Sequence, residues 1–395
     1  MLDVEAIRSE FPALAGDQIF LDGPAGTQVP NRVIAAVTSA LAGSMSNVGG
    51  DFPSSQRTGQ IVAAARRAGA DLVGGKPNEI VFGPNMTTLT FAVSRALAEG
   101  WTEGDRIVLS GLDHDANVIP WVRAAAAKGV EVVFADVRAD ATLDLDPLES
   151  LIDGRTRLVA ATACSNAFGT LVDVDLLTRA AHKVDALVFI DAVHLAPHRG
   201  IDVDHLGCDF LVCSSYKFFG PHLGMLWARE ALLAELPAFK VRPAPDIGPG
   251  RWETGTPTFE LLAGFEAAVD YLASIGWGGD RRGALENAFA EIREQEMSIG
   301  NRFLSGLPDR IRVVGPNTMG ERVPTFAVEV DGMDAPEVSR SLGQRGIATW
   351  AGHFYAVEPM RRLGYAESGG LTRIGFLHIN TADEVDSVLE ALAVL

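Results

Sequence analysis

The feature that most narrows what this chain can fold into is a rhythm. Short runs rich in β-branched and apolar residues, at 106–110, 130–135, 156–162, 187–191 and 210–213, alternate with stretches of helical periodicity such as 121–128 and 176–183. A connection that holds a helix joins parallel strands, and strands this uniformly apolar are buried on both faces. The pattern therefore predicts βαβ units in an α/β fold: a mostly parallel sheet with helices on both sides. In such sheets ligands sit beyond the carboxyl ends of the strands. The residues that close each run are the first place to look for chemistry.

The second part of the chain changes character. Pro243-Ala-Pro-Asp-Ile-Gly-Pro-Gly250 marks a loop, and a long helical tract is expected from about 261 to 304. Three runs that follow, at 310–314, 325–330 and 371–379, alternate like half-exposed strands. The 395 residues are enough for two domains. We expect a large domain over 15–260 and a smaller α+β domain with an antiparallel sheet over 261–395, with residues 1–14 packing against the latter.

Composition excludes several function classes. With 47% hydrophobic residues the chain is globular, and no apolar run approaches the ~20 residues of a membrane helix. Its start, Met1-Leu-Asp-Val-Glu-Ala-Ile-Arg, is acidic and unlike a targeting peptide. Net charge is −18, from 51 acidic and 33 basic residues, with no Lys/Arg run, so no nucleic acid partner is expected. Cys164, Cys208 and Cys213 have neither the number nor the spacing for a disulfide framework or a metal site. A cytoplasmic protein without metal is the expectation.

Two strand ends stand out. The run Ala186-Leu-Val-Phe-Ile closes on Asp191, and Phe210-Leu-Val-Cys-Ser-Ser-Tyr closes on Lys217. Lysine follows an apolar strand rarely, because its ammonium needs a partner or a chemical use. An acid ending one buried strand and a lysine ending another suit pyridoxal 5'-phosphate: the lysine forms a Schiff base with the aldehyde, and the acid keeps the pyridine nitrogen protonated. Gly83-Pro-Asn-Met86-Thr87-Thr88 precedes a helix and offers the N–H groups of a phosphate cradle. A plain Thr N-cap would leave the same trace.

Further motifs carry a resemblance. Phe20-Leu-Asp-Gly-Pro-Ala-Gly-Thr, Leu112-Asp-His114-Asp-Ala-Asn117-Val-Ile-Pro-Trp121, Cys164-Ser-Asn166-Ala-Phe-Gly169 and Glu253-Thr-Gly-Thr256-Pro occur in order. With Asp191 and Lys217 they resemble the fold-type I pyridoxal phosphate enzymes of the class V aminotransferase group, and within it the cysteine desulfurase and selenocysteine lyase branch. The resemblance spans nearly the whole chain. It implies phosphate contacts from Met86, Thr87, Ser214 and Tyr216, the last standing where desulfurases commonly have His. It implies that His114 stacks on the pyridine ring and assists proton transfer. Asn166 would lie near the phenolic oxygen and the substrate carboxylate, and His194 takes the place of a Gln that bonds that oxygen. Thr256 would reach the phosphate in a neighbouring subunit, which makes the active unit a homodimer with shared sites. Arg373 would fork onto the α-carboxylate of a small amino acid substrate. His198 and His222 carry no role.

One departure bears on the reaction. Desulfurases carry a sulfur-accepting cysteine in a loop resembling Arg-x-Gly-His-His-Cys-Ala-x-Pro; here the stretch reads Trp350-Ala-Gly352-His353-Phe354-Tyr355-Ala-Val-Glu-Pro359. Tyr355 stands in the cysteine position, with His353 beside it in the expected substrate loop. The resemblance implies a desulfurase-like lyase that cleaves C–S, C–Se or another Cβ bond without a persulfide. A class V aminotransferase or epimerase is the alternative. A scaffold that binds the cofactor without turning over is the alternative of another class.

Overall fold

The computed structural model describes residues 2–43 and 45–395. Its main sheet has seven strands in the spatial order Ile80–Gly83, Gly224–Ala228, Phe210–Ser214, Leu187–Asp191, Thr156–Thr162, Arg106–Ser110 and Glu131–Ala135. From Phe210–Ser214 to Glu131–Ala135 every pairing is parallel, whereas Gly224–Ala228 runs antiparallel to both its neighbours. The mostly parallel sheet read from the sequence is present. It gains two strands beyond that reading, Ile80–Gly83 and Gly224–Ala228. The second follows the tight Gly220-Pro-His-Leu connection, and Gly220 with Gly224, the strand's own first residue, masks the apolar run behind them.

Alternate residues of these strands point into two separate cores. Phe82, Val108, Val159 and Ala161 share one with the helices Pro53–Val73 and Phe259–Ile275. Val81, Ile107, Leu109, Leu158 and Ala160 share the other with the helices Met86–Ala98 and Ile119–Lys128. Burial on both faces explains why the strands read as continuous apolar runs.

A second sheet has four strands, Trp350–Gly352, Leu371–Gly375, Thr325–Val330 and Ile311–Val314, all antiparallel. Two expectations are corrected here. The strand Leu371–Gly375 is buried along its whole length rather than alternating, because Ile374 joins the core of the small sheet while Arg373 turns to the large one. The tract expected over 261–304 is two helices, Phe259–Ile275 and Arg281–Gly306. Gly276 and Gly278 break it, since a Cβ at either would run into the backbone at Ala284, and Asp280 caps the second helix through the Gly283 N–H at 2.8 Å.

The N-terminal segment ties the layers together. Arg8 donates to the Ile379 carbonyl (2.7 Å) and pairs with Glu384 (3.0 Å), while Phe11 packs edge-on against Phe219 and Tyr271. Ile19–Phe20 pairs in parallel with Ile347–Ala348, which feeds Asp22 and Pro24 toward the end of Leu371–Gly375. Among the described residues no helix is long and apolar enough to cross a membrane.

Candidate active site

The carboxyl ends of the parallel strands open on a cavity of ≈ 340 Å³. At one end lies the N-terminus of Met86–Ala98. Asn85 caps it by accepting the Thr88 N–H (2.9 Å), and Ser214 Oγ accepts the Met86 N–H (3.0 Å). A helix leaves its first N–H groups without intrahelical acceptors, so the Thr87 N–H remains as a donor beside the cavity. Strand Gly224–Ala228 passes so close that a Cβ on Gly224 would run into the Asn85 backbone. The result is a cradle of N–H and hydroxyl groups at a positive dipole end, suited to a phosphate.

At the other end of the cavity Asp191 closes its strand, level with Thr162 on the neighbouring strand. It is 4% exposed and accepts the Val193 N–H at 2.8 Å. Burial raises its carboxyl to about 6, against the pull of that N–H and of Lys217. Lys217 ends the single turn Ser215–Lys217, donates to the Pro24 carbonyl and lies 4.9 Å from the Tyr216 ring centre. Burial, reinforced by Arg373, lowers its amine to about 7, against the attraction of Asp22 and Asp191. An amine with that value is substantially neutral near pH 7, which makes it both nucleophile and base.

The remaining groups converge from loops and from the second sheet. His114 Nδ1 accepts the Ala116 N–H (3.0 Å); burial, then Lys217 and Arg373, lowers the ring to about 4, so it is neutral. Its ring lies parallel to Tyr355, 5.5 Å away and tilted by 17°. Asn166 donates to the Phe354 carbonyl (2.9 Å). Arg373 donates to the Asn166 carbonyl (3.0 Å), meets Asp22 at 3.5 Å and lies 4.6 Å over the Phe354 ring. Tyr216 stacks on His222, which gives that histidine a packing role. His194 Nε2 meets the Thr325 hydroxyl at 3.1 Å.

The structure brings most of the sequence-expected residues together. Met86, Thr87, His114, Asn166, Asp191, His194, Ser214, Tyr216, Lys217, Tyr355 and Arg373 all line the cavity. Two stand apart. Thr256 lines a second cavity of ≈ 300 Å³ with Phe239, Trp252 and His222. His353 sits behind Tyr355, accepting its N–H at Nδ1 (3.0 Å) with the rings 5.8 Å apart. Sequence reasoning missed Asp22, Asp113, Thr325 and Trp350. Asp22 lies inside the Phe20–Thr27 motif, and Asp113 precedes His114, so both could have been found. Asp113 is buried, accepts Asn117 Nδ2 (2.6 Å) and the Thr162 N–H (2.9 Å), and is pushed up to about 8, so it ties the His114 turn to the neighbouring strand end.

The donor set fits pyridoxal 5'-phosphate. Among the described residues Asn166 Oδ1 and Arg373 Nε are buried without a hydrogen-bond partner. Such orphaned groups mark a place where a polar ligand completes the bonding. The Met86–Thr87 cradle suits the phosphate, Asp191 the ring nitrogen and Lys217 the aldehyde.

Comparison with known proteins agrees. The profile of the family described as aminotransferase class-V matches residues 19–388. A probable cysteine desulfurase of Mycobacterium leprae is 32% identical, over 98% of this chain and 95% of that one. An aminotransferase-like protein of Gibberella zeae is 30% identical, over 98% of this chain and 97% of its own length. The apo structure of a cysteine desulfurase from Thermococcus onnurineus superposes with a TM-score of 0.91 at 26% identity, covering 100% of this chain and 99% of that one. Matched along nearly its whole length and holding a cavity that suits the cofactor, the chain belongs to the aminotransferase class-V family and is a pyridoxal-phosphate-dependent enzyme.

Proposed function

We propose that this enzyme is a desulfurase-like lyase that cleaves a Cβ bond of a small amino acid without passing sulfur to a cysteine of its own. The observation that carries the reading is the grouping of Asp191, Lys217 and Arg373 in one cavity, with Tyr355 at its mouth. Bound there, the cofactor supplies an electron sink for the α-carbanion. The chain's own residues do the rest. Arg373, desolvated and pinned by Asp22, receives the α-carboxylate, and Asn166 Oδ1 accepts from the substrate. Lys217 takes the α-proton and returns it, which its lowered pKa favours. Asp191 would hold the charge on the ring nitrogen of the bound group, His114 stands in the same cavity to flank it, and Met86, Thr87, Ser214 and Tyr216 would hold its phosphate.

A phenol cannot accept sulfur as a thiolate does, and all three cysteines are buried. Burial pushes Cys208 up to about 12 and raises Cys164 and Cys213 further. These facts support a route without persulfide. Two companion proposals belong with it. The active unit is a homodimer in which Thr256, with its neighbours in the second cavity, faces the partner's phosphate site. The enzyme works in the cytoplasm, in keeping with its unpaired thiols. Transfer of the amino group is the second reading, favoured by the aminotransferase-like relative in Gibberella zeae.

The test is a panel of amino acids, including L-cysteine, cysteine sulfinate and selenocysteine, followed for pyruvate, alanine, sulfide, sulfite and keto acid. Release of a Cβ substituent supports the lyase; keto acid with amino transfer to an acceptor replaces it with the aminotransferase.

A further inference from the structure

We propose that Thr325 fixes the tautomer of His194, so that this histidine faces the cavity as a hydrogen-bond donor through Nδ1, and that Thr325 is thereby a positioning residue for the chemistry at Lys217.

Thr325 begins the strand Thr325–Val330 and is fully buried. Its backbone is held from two sides: its N–H donates to the Val323 carbonyl (2.7 Å), and its carbonyl accepts Arg322 Nη2 (2.6 Å). Arg322 is itself buried, lies 4.4 Å over the Phe326 ring and donates from the same nitrogen to the Phe168 carbonyl (2.6 Å). The hydroxyl therefore occupies a defined place. Its one hydrogen-bond partner among the described residues is His194 Nε2, at 3.1 Å.

That contact has two polarities, and they are not equivalent. If Nε2 carried the proton and donated to the hydroxyl oxygen, the threonine's own O–H would be a buried donor with no acceptor. An unsatisfied buried donor costs the full desolvation of the group, while an unused hydroxyl lone pair costs much less. The hydroxyl therefore donates to Nε2. A neutral imidazole then bears its proton on Nδ1.

The ring is neutral because burial, then His198, Arg373 and Lys217, all disfavour a second proton. His198 stands edge-on to it, 5.2 Å away, and is bonded through Nδ1 to the buried Glu296 (2.7 Å), whose other oxygen pairs with Arg199 (3.0 Å). Among the described residues His194 Nδ1 has no protein partner, yet it is not sealed off from the cavity, which His194 lines together with Asp191 and Lys217. The N–H thus opens on the cavity, where a bound cofactor ring would meet it. This rests on the cofactor assignment and not on the choice of reaction. A fixed donor there would stabilise an anionic phenolic oxygen of the bound cofactor.

Two measurements test it, both without substrate, so neither depends on the lyase reading. The first uses cofactor-free protein labelled with ¹⁵N-histidine and long-range ¹H–¹⁵N correlation, with His194 assigned through His194→Gln. Wild type and Thr325→Ser should show a pyrrole-type Nδ1 and a pyridine-type Nε2; Thr325→Val should show the tautomers mixed or inverted. A pyridine-type Nδ1 in wild type overturns the proposal, whether or not Thr325→Val folds. The second is the pH midpoint of the visible absorbance of the loaded protein. Losing the donor makes the phenolic oxygen more basic, so the midpoint in Thr325→Val should rise by roughly one unit or less and return in Thr325→Ser. Identical midpoints in wild type and Thr325→Val overturn the positioning role.

Discussion

The floor and the mouth of the cavity are built in opposite ways. The floor consists of Asp191, His194, Ser214 and Lys217, set on or just past strand ends, and three of these are at most 4% exposed. Three are held by a group from another element: the Met86 N–H on Ser214, the Pro24 carbonyl on Lys217, the Thr325 hydroxyl on His194. The mouth consists of Trp350 and Tyr355, which are 55% and 66% exposed. Trp350 is held by the pairing of its strand with Leu371–Gly375, and the turn that carries Tyr355 by the Asp115 N–H on the Tyr355 carbonyl (2.8 Å) and by Asn166 on the Phe354 carbonyl. Phe354 and Tyr355 both take left-handed backbone, φ 54° and 57°, where non-glycine residues are strained. The floor cannot change without breaking a buried partner, whereas the mouth can exchange side chains at little cost to the fold. Cofactor chemistry is therefore the fixed property of such a chain, and substrate choice the adjustable one.

If the floor is as rigidly specified as this contrast requires, Lys217→Ala should remove turnover by about 10³-fold or more, while the cofactor still binds through its phosphate and ring contacts. Borohydride reduction of wild type should trap the cofactor on the Lys217 peptide. Trapping on another lysine would undo the assignment. The same residue should weaken the fold. Its amine is lowered from 10.5 to about 7 in the folded protein. Between those values the unfolded chain binds a proton that the folded chain does not, so stability rises with pH through that window and the penalty is complete below about 7. Cofactor-free Lys217→Met should therefore exceed wild type in stability at pH 6–7 by on the order of a few kcal/mol. The gap should close toward pH 10.5 in denaturant titrations; a gap that widens with pH would show the lysine paired rather than desolvated.

Asp191→Asn should keep the Val193 contact and lose about 10²-fold or more in kcat, because the charge behind the cofactor ring is gone while the shape remains. Wild-type turnover would reduce Asp191 to a strand-end cap. Arg373→Lys is expected to act mainly on KM, raising it about tenfold or more, since an ammonium cannot fork onto a carboxylate. An equal effect on a substrate lacking the carboxylate would show that Arg373 only braces Asn166 and Asp22.

The same contrast explains what could be read from sequence. Asp191 and Lys217 were legible because each closes an apolar strand, where a charged side chain has no structural excuse. The parallel sheet was legible because burial on both faces leaves unbroken apolar runs. The strand Gly224–Ala228 was hidden by the glycines that let it pass Asn85, and the helix break at 276–280 by apolar periodicity that resumes after it. Thr325 gave no local signal, and Trp350 showed only as the first residue of the loop that departs from the desulfurase pattern. Thr325 matters only because the chain brings it against His194, 131 residues away in sequence. Trp350 matters because its strand pairs it with Arg373.

The smallest expected effect falls at the mouth and is a null. Cys164, Cys208 and Cys213 are wholly buried, and burial raises all three thiols, so the thiolate that attacks sulfur or an alkylating agent is scarce. Cys164 lines the cavity, but its Sγ is engaged with the Gly169 carbonyl at 3.3 Å. Incubation with L-cysteine should leave no stoichiometric one-sulfur adduct on the protein by mass spectrometry, and iodoacetamide treatment of the native enzyme should leave turnover unchanged. Tyr355→Cys is the sharpening variant, because it sets a thiol at an exposed position of the same loop. An adduct in that variant alone would show the floor competent for persulfide formation and the mouth as the element that withholds it. An adduct on Cys164 in wild type would mean that the floor supplies the sulfur acceptor itself, and the division between a fixed floor and an adjustable mouth would fall with it.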